Sequence, residues 1–325
     1  MAPAAKAARA QPHGRGRLTV EDWFAEPPFA GYQQRYRVRR RLHAATSPWQ
    51  TVEIVDLESF GVSLVLGGTL QTSLGEEFTY HEMLVHVPMF AHPRPRRVLI
   101  IGGGDGGALR HVLLHPTVER AVEVEIDRAV VDASRQYLPA VSGGAYDDER
   151  AELLIADGAE FVATTDERFD VILIDSTDPV GPAAALIGDA FLQATRNVLE
   201  TGGLVVMQSG SPITQPREWH ATTAAFRRAF ATVRPYLGWV PIYPGVLWSW
   251  VAGSGSDGAD PAALDDSAVA SRLAGLAEPL RIYNPAAHRA AFALPTFLTR
   301  LYDVDRPLDA AALRAAGHPF PGVVA

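Results

Sequence analysis

The stretch Val98-Leu-Ile-Ile-Gly102-Gly103-Gly104-Asp105-Gly106-Gly107 constrains the fold more than any other part of the chain. An apolar run flows into Gly102, Gly104 and Gly107, spaced G-x-G-x-x-G, and a helical pattern over 106–115 follows. Strand, tight turn and helix N-terminus in that order form a nucleotide-binding corner. The next apolar strand ends at Glu125-Ile126-Asp127, 18 residues beyond Gly107, where an acid reaches ribose hydroxyls. Glycines so placed also serve a tight strand-to-helix turn with no ligand at all. Asp105 narrows the ligand. A carboxylate inside the loop repels the phosphates that helix N-termini usually hold, and it welcomes a cation. The loop therefore fits a nucleoside without phosphate and with positive charge, such as an adenosyl sulfonium. The other role open to Asp105 is to cap the helix that follows.

The pattern repeats along the chain. Apolar segments at 97–101, 121–126, 153–156, 171–174 and 204–207 alternate with helical stretches at 106–115, 128–138, 158–165, 187–199 and 216–230. Short apolar strands alternating with helices predict an α/β domain, a mostly parallel sheet with helices on both faces. Segments 233–240 and 247–252, joined by a Pro241–Pro244 turn, read as an antiparallel addition at its edge. Before it, residues 18–92 read as a small β-rich domain. Residues 36–42, with Arg37, Arg39, Arg40 and Arg41, have the charged habit of an exposed edge strand. Segments 51–57, 62–66 and 69–73 follow, then a helix over 76–89 that ends at Pro88. The expected division is a disordered tail over 1–17, the β domain over 18–92 and a Rossmann-like catalytic domain over 93–325.

With 29 Lys and Arg against 37 Asp and Glu, the net charge is −8, which argues against nucleic-acid binding. There is no cysteine, hence no disulfide and no thiolate chemistry. No apolar run approaches a membrane span, and residues 1–17 lack the apolar core of a secretory signal, so a cytoplasmic protein is expected.

Acids accumulate where parallel strands end. The third strand runs into Asp157-Gly158, where Asp157 faces the crevice and suits an adenine amino group, although Asp-Gly is also a common turn. The fourth gives Asp175-Ser-Thr-Asp178-Pro179-Val-Gly-Pro182, two carboxylates three residues apart on a stiffened turn. Together Asp105, Glu125, Asp157, Asp175 and Asp178 predict an acidic cleft for a polycationic ligand. Residues 179–190 are expected to close over it as a lid. The N-terminal part adds Gln71 and Glu76-Glu-Phe-Thr-Tyr80-His81-Glu82. His81 and His86 are five apart, not the i, i+4 of a helical metal pair, so no metal is expected. Tyr80 beside acids suits an ammonium, or else it packs on the neighbouring domain.

Taken together these segments resemble the polyamine aminopropyltransferase family, its spermidine synthase branch most closely. The resemblance rests on Trp23-Phe24, Ser47-Pro-Trp-Gln50, the Gln71 hairpin, Glu77-Phe-Thr-Tyr80-His81-Glu82, Gly102 to Gly107, Glu125-Ile-Asp127, Asp157-Gly158, Asp175 to Pro182, Tyr243-Pro244 and Tyr283-Asn284 with His288 to Phe292. It implies a small β domain on a methyltransferase-like Rossmann domain. It also implies transfer of an aminopropyl group from decarboxylated S-adenosylmethionine, a co-substrate and not a resident cofactor, to a diamine such as putrescine, releasing 5′-methylthioadenosine. By the same resemblance Asp175 is the base, and Tyr80 and Tyr243, with Gln71, hold the attacking amine. Asp178 binds the aminopropyl ammonium or assists the base. Gln50, His81 and Asp105 contact the donor, Glu125 its ribose and Asp157 with Gly158 its adenine, on a loop carrying Gly102 and Gly104. A homodimer is implied.

The chain departs from the family's usual pattern at three places: Leu66-Gly67-Gly68 in place of Leu-Asp-Gly, no acid near Gly210, and Val246 near a usual glycine. These bear on the acceptor amine. An S-adenosylmethionine-dependent amine N-methyltransferase shares the loop and the fold, and so does a nucleoside-binding relative without turnover.

Overall fold

The computed structural model describes residues 22–27, 31–177 and 185–323. The first five strands, β1 (Trp23–Ala25), β2 (Arg35–Thr46), β3 (Thr51–Leu57), β4 (Gly61–Leu66) and β5 (Thr69–Ser73), form an antiparallel sheet in sequential order. Gly67 and Gly68, both with positive φ, make the two-residue turn between β4 and β5 that the strand twist favours. The arginine-rich strand is longer than its sequence suggests. Its first three residues are covered by β1, and register shifts near Val38/Arg40 and Arg41/His43 break the alternation, so that Arg39, Arg40 and Arg41 are all exposed. Such irregularity blunts an open sheet edge.

The long helix α1 (Phe78–Ala91) follows, buried from Thr79 to its end. It does not stop at Pro88 as the sequence predicts. Proline removes one ladder bond, but the Pro88 carbonyl still accepts from His92, and a helix walled in on all sides keeps its last turn through packing.

The second sheet is built from β6 (Arg97–Gly102), β7 (Arg120–Glu125), β8 (Ala151–Ile155), β9 (Phe169–Asp175), β10 (Leu199–Gln208), β11 (Thr232–Trp239) and β12 (Leu247–Ser254). Its order is β11-β12-β10-β9-β6-β7-β8, parallel from β6 to β10 with β12 and β11 antiparallel at one edge, as the sequence predicts. Between them run α2 (Gly107–Leu113), α3 (Arg128–Tyr137), α4 (Pro139–Ser142), α5 (Gly158–Thr164), α6 (Asp189–Asn197) and α7 (Pro216–Ala229). Four short helices close the chain, α8 (Asp266–Leu273), α9 (Pro285–Ala291), α10 (Thr296–Tyr302) and α11 (Ala310–Ala316).

The apolar runs read as buried on both faces, and they are. On β6, Val98 and Ile100 pack with α1 and α2, while Leu99 and Ile101 pack with residues of α5, α6 and α7. The N-terminal sheet is likewise used twice: Val55, Leu57, Val65 and Leu70 join the core around α1, and Val52, Ile54, Leu64 and Leu66 pack on α3 and α4. Strand order reverses between β6 and β9. At such a switch point the crevice beyond the carboxyl ends is open to a ligand. No helix among the described residues is long and apolar enough to cross a membrane.

Candidate active site

A cavity of about 550 Å³ lies at this switch point, roofed by the β4–β5 hairpin and the turn carrying Tyr243. Its size suits a small organic ligand. Gly102 pairs in register with Asp175, and a Cβ on Gly102 would lie 2.2 Å from the Asp175 carbonyl oxygen. Only glycine lets the two strand ends close so tightly. Asp175 is thereby set at the cavity floor, where the Tyr80 hydroxyl donates to its Oδ1 at 2.7 Å. Desolvation pushes the Asp175 carboxyl up to about 6, Asp105 adds to the rise, and His81 and the Tyr80 bond oppose it. Burial and the neighbouring Asp175 hold the Tyr80 phenol well above its usual range, so it stays a donor.

His81, one residue on, is 2% exposed. Its Nδ1 lies 2.9 Å from Glu77 Oε2 and its Nε2 3.5 Å from Asp105 Oδ1. Burial alone would lower the imidazole, yet these two carboxylates outweigh it and hold the pKa well above the usual histidine value. His81 is thus an imidazolium between two acids. Arg110 secures Glu77 from the other side at 2.8 Å. A Cβ on Gly107 would lie 2.2 Å from the His81 ring, so the last glycine of the motif makes room for this side chain. Asp105 lines the cavity and also accepts from the Gly107 N–H at 2.8 Å, so the capping contact is present in the same side chain.

Glu125 ends β7 with Oε1 on the Asp127 N–H and Oε2 on the Gly104 N–H. Burial pushes it to about 7 in spite of those two bonds. Asp157 lines the cavity with Gly158 while its Oδ1 caps α5 through the Ala159 and Glu160 N–H groups. Gln50 reaches the cavity because Asp127 accepts from its amide and from the Ser47 hydroxyl, at 3.3 and 2.7 Å. Gln71 also lines the cavity, but its side-chain amide donates to the Thr69 carbonyl, and its own carbonyl accepts from the Tyr243 hydroxyl at 2.7 Å. The Tyr243 ring meets Tyr80 edge-on at 5.8 Å. Asp178, and residues 179–184 of the expected lid, lie outside the described residues.

Two parts of the matched motifs serve the frame instead of the cavity. Glu82 is buried and accepts from the backbone N–H groups of Arg281, Ile282 and Tyr283 at 2.7–2.9 Å. Tyr283 in turn meets His288 at 2.6 Å. His86, the partner considered for His81 in the sequence, contacts His111 and His115 in a buried chain of imidazoles. Among the described residues no group of His, Cys, Asp and Glu is arranged to hold a metal ion.

The sequence reading passed over Gln208, which lines the cavity and donates to the Ser176 carbonyl at 3.2 Å. A polar residue closing an apolar strand was the available signal. Trp49, which the sequence offered only as part of the Ser47–Gln50 motif, and Trp248, which carries no spacing signal, also line the cavity.

Residues 77–260 match the model of the spermine/spermidine synthase domain, and residues 22–73 that of the spermidine synthase tetramerisation domain. A polyamine aminopropyltransferase of Caldicellulosiruptor bescii is 42% identical over 282 residues, covering 87% of this chain and 98% of the relative. Polyamine aminopropyltransferase 1 of Pseudomonas aeruginosa is 44% identical, covering 85% and 96%. A solved spermidine synthase in complex with the transition-state analogue AdoDATO superposes with a TM-score of 0.81 at 36% identity, over 90% of this chain and 98% of that one. The spermidine synthase from Thermotoga maritima gives 0.80 at 35% identity, over 90% and 99%.

Proposed function

The chain belongs to the spermine/spermidine synthase family, and we propose that it moves an aminopropyl group from decarboxylated S-adenosylmethionine to a diamine, putrescine first, releasing 5′-methylthioadenosine. As a polyamine aminopropyltransferase it is a transferase of alkyl groups other than methyl. The observation that supports this reaction is Asp175, a carboxyl raised to about 6 and bonded to Tyr80 beside the His81–Asp105 pair.

The amine nitrogen attacks the methylene next to the sulfonium. A C–N bond forms, the C–S bond breaks and its electron pair stays on sulfur, while the amine's extra proton passes to Asp175. An alkylammonium has a pKa of roughly 10, so an ordinary aspartate near 4 faces a gap of about 8 kcal/mol. A carboxyl at about 6 shortens that gap by roughly a third. Tyr80 and Tyr243 offer aromatic faces and hydroxyls to the incoming ammonium. Asp105 offers a carboxylate to the donor's aminopropyl ammonium, Glu125 an acceptor to its ribose, and Asp157 one to its adenine. We place the enzyme in the cytoplasm as an assembly of copies, with a dimer as its minimal form.

Purified protein incubated with the decarboxylated donor and a panel of diamines should release 5′-methylthioadenosine, fastest with putrescine. Methyl transfer from S-adenosylmethionine in the same assay, without that release, would replace this reading with the methyltransferase one.

A further inference from the structure

Glu123 is a carboxyl with no ordinary reason to be where it is. It sits in the middle of β7, paired in register with Ile100 and Leu153, and is 0% exposed. Its Oε2 is buried with no hydrogen-bond partner, and its Oε1 lies 3.0 Å from the Tyr146 hydroxyl. Tyr146 belongs to a single 3-10 turn (Ala145–Asp147). That same hydroxyl lies 3.2 Å from the Gly104 carbonyl, the peptide that leads into Asp105. The Tyr146 ring lies directly beneath the loop as well, since a Cβ on Gly106 would be 2.8 Å from it.

A phenol has one hydrogen and here two acceptors. If Glu123 is ionised, the charged oxygen takes that hydrogen, because a charge-assisted bond is the stronger. The Gly104 carbonyl then faces only lone pairs. If Glu123 is neutral, its own hydrogen goes to the Tyr146 oxygen and Tyr146 gives its hydrogen to Gly104. Both contacts are then satisfied, and the orphaned Oε2 is a neutral carbonyl and not half of a buried charge. The charged groups around Glu123 favour the neutral form: Glu125 on its own strand, Asp105 on the loop and Asp175 from β9 are all carboxylates. Burial acts first and most strongly in the same direction, opposed by the Tyr146 bond. Arg135 lies over the Tyr146 ring at 5.2 Å.

We propose that Glu123 and Tyr146 are positioning residues of the donor site, a relay in which the protonated Glu123 holds Tyr146 and Tyr146 holds the Gly104–Asp105 peptide. Gly104 is then gripped from both sides, its N–H by Glu125 and its carbonyl by Tyr146. The relay sets where Asp105 points without touching any reacting atom. It rests on the donor-site reading given above.

Two variants test it, Tyr146→Phe, which keeps the ring under Gly106, and Glu123→Gln, which keeps a neutral group able to donate. In ligand-free protein, Tyr146→Phe should speed hydrogen exchange of the amides from Gly104 to Ala108 while the sheet stays protected. In turnover assays it should raise the donor KM about 3- to 10-fold, the worth of one neutral hydrogen bond, and leave the diamine KM unchanged. The donor KM of the unmodified enzyme should climb as pH rises through the elevated Glu123 pKa. Glu123→Gln should keep the low donor KM and remove that climb, leaving only the change that Glu125, itself raised to about 7, contributes. Unaltered loop exchange in Tyr146→Phe, equal changes in donor and diamine KM, or an unchanged pH profile in Glu123→Gln would overturn the proposal. If no enzyme form releases methylthioadenosine yet Tyr146→Phe loosens the loop, the relay stands and the assigned reaction falls.

Discussion

Replacing Asp175 by asparagine should make the protein slower and more stable at once. Asparagine keeps the shape and an oxygen for the Tyr80 hydroxyl but cannot take a proton. Turnover should fall by ~10²–10⁴, the usual worth of a general base. The stability side follows from linkage. The folded Asp175 carboxyl sits at about 6 against an ordinary 3.8, so the folded state binds more protons than the unfolded chain between those values. Stability therefore drops as pH rises from about 4 to about 6 and stays lowered above that. At roughly 1.4 kcal/mol per pKa unit the full cost is about 3 kcal/mol. Asp175 lines an open cavity, and solvent screening there lowers that to an order of 1–2 kcal/mol. Thermal melts of both proteins should coincide near pH 4 and separate by a few degrees at pH 7.5, the variant melting higher. The rate of the unmodified enzyme should rise through pH 6 as the base ionises, and that limb should vanish in the variant. A variant that melts lower at neutral pH, or that keeps turnover within about threefold, would remove Asp175 from the base's role.

Three further outcomes are expected. Asp105→Asn should weaken binding of the decarboxylated donor and narrow its margin over S-adenosylmethionine, read by calorimetric titration of both ligands. The margin in the unmodified enzyme should be modest, about 10- to 100-fold, because the adjacent His81 imidazolium offsets part of the Asp105 charge. Glu82→Gln should cost about 1–3 kcal/mol in denaturant melts by weakening its grip on three backbone N–H groups, with kcat per folded molecule unchanged. Val246→Gly should raise stability by roughly 1 kcal/mol, since Val246 is held at φ 63° while 45% exposed, a left-handed conformation a β-branched residue resists. A lower melting temperature for that variant would show that the valine side chain does more than endure its backbone.

The strand ends were legible because one physical signal marks them. A fully buried parallel strand is a run such as Val98 to Ile101, and the acid at or just beyond its carboxyl end faces the crevice. Asp105, Glu125, Asp157 and Asp175 all reach the cavity for that reason. Gln50 was found through motif resemblance, and its tether to Asp127 joins residues 77 apart, beyond any local pattern. Glu123 was hidden by its own setting. Val122-Glu123-Val124-Glu125 alternates like a strand with one wet face, whereas both acids are buried and the second face is filled by α2 and the Tyr146 turn. Pro88 misled in the opposite sense, since a strong local stop signal was overruled by the packing around α1.

Asp127 caps α3 with one oxygen and accepts from Ser47 and Gln50 with the other. The first turn of α3 is thus stitched to the loop between β2 and β3, and on that side Trp49 and Gln50 line the cavity together with Ile126 and Val130. The two sheets cannot be exchanged between relatives as separate modules. A chimaera that takes its first 73 residues from another protein must bring a hydroxyl and an amide at the places of Ser47 and Gln50. Otherwise Asp127 loses both partners, and the pocket opens before any catalytic group has been changed.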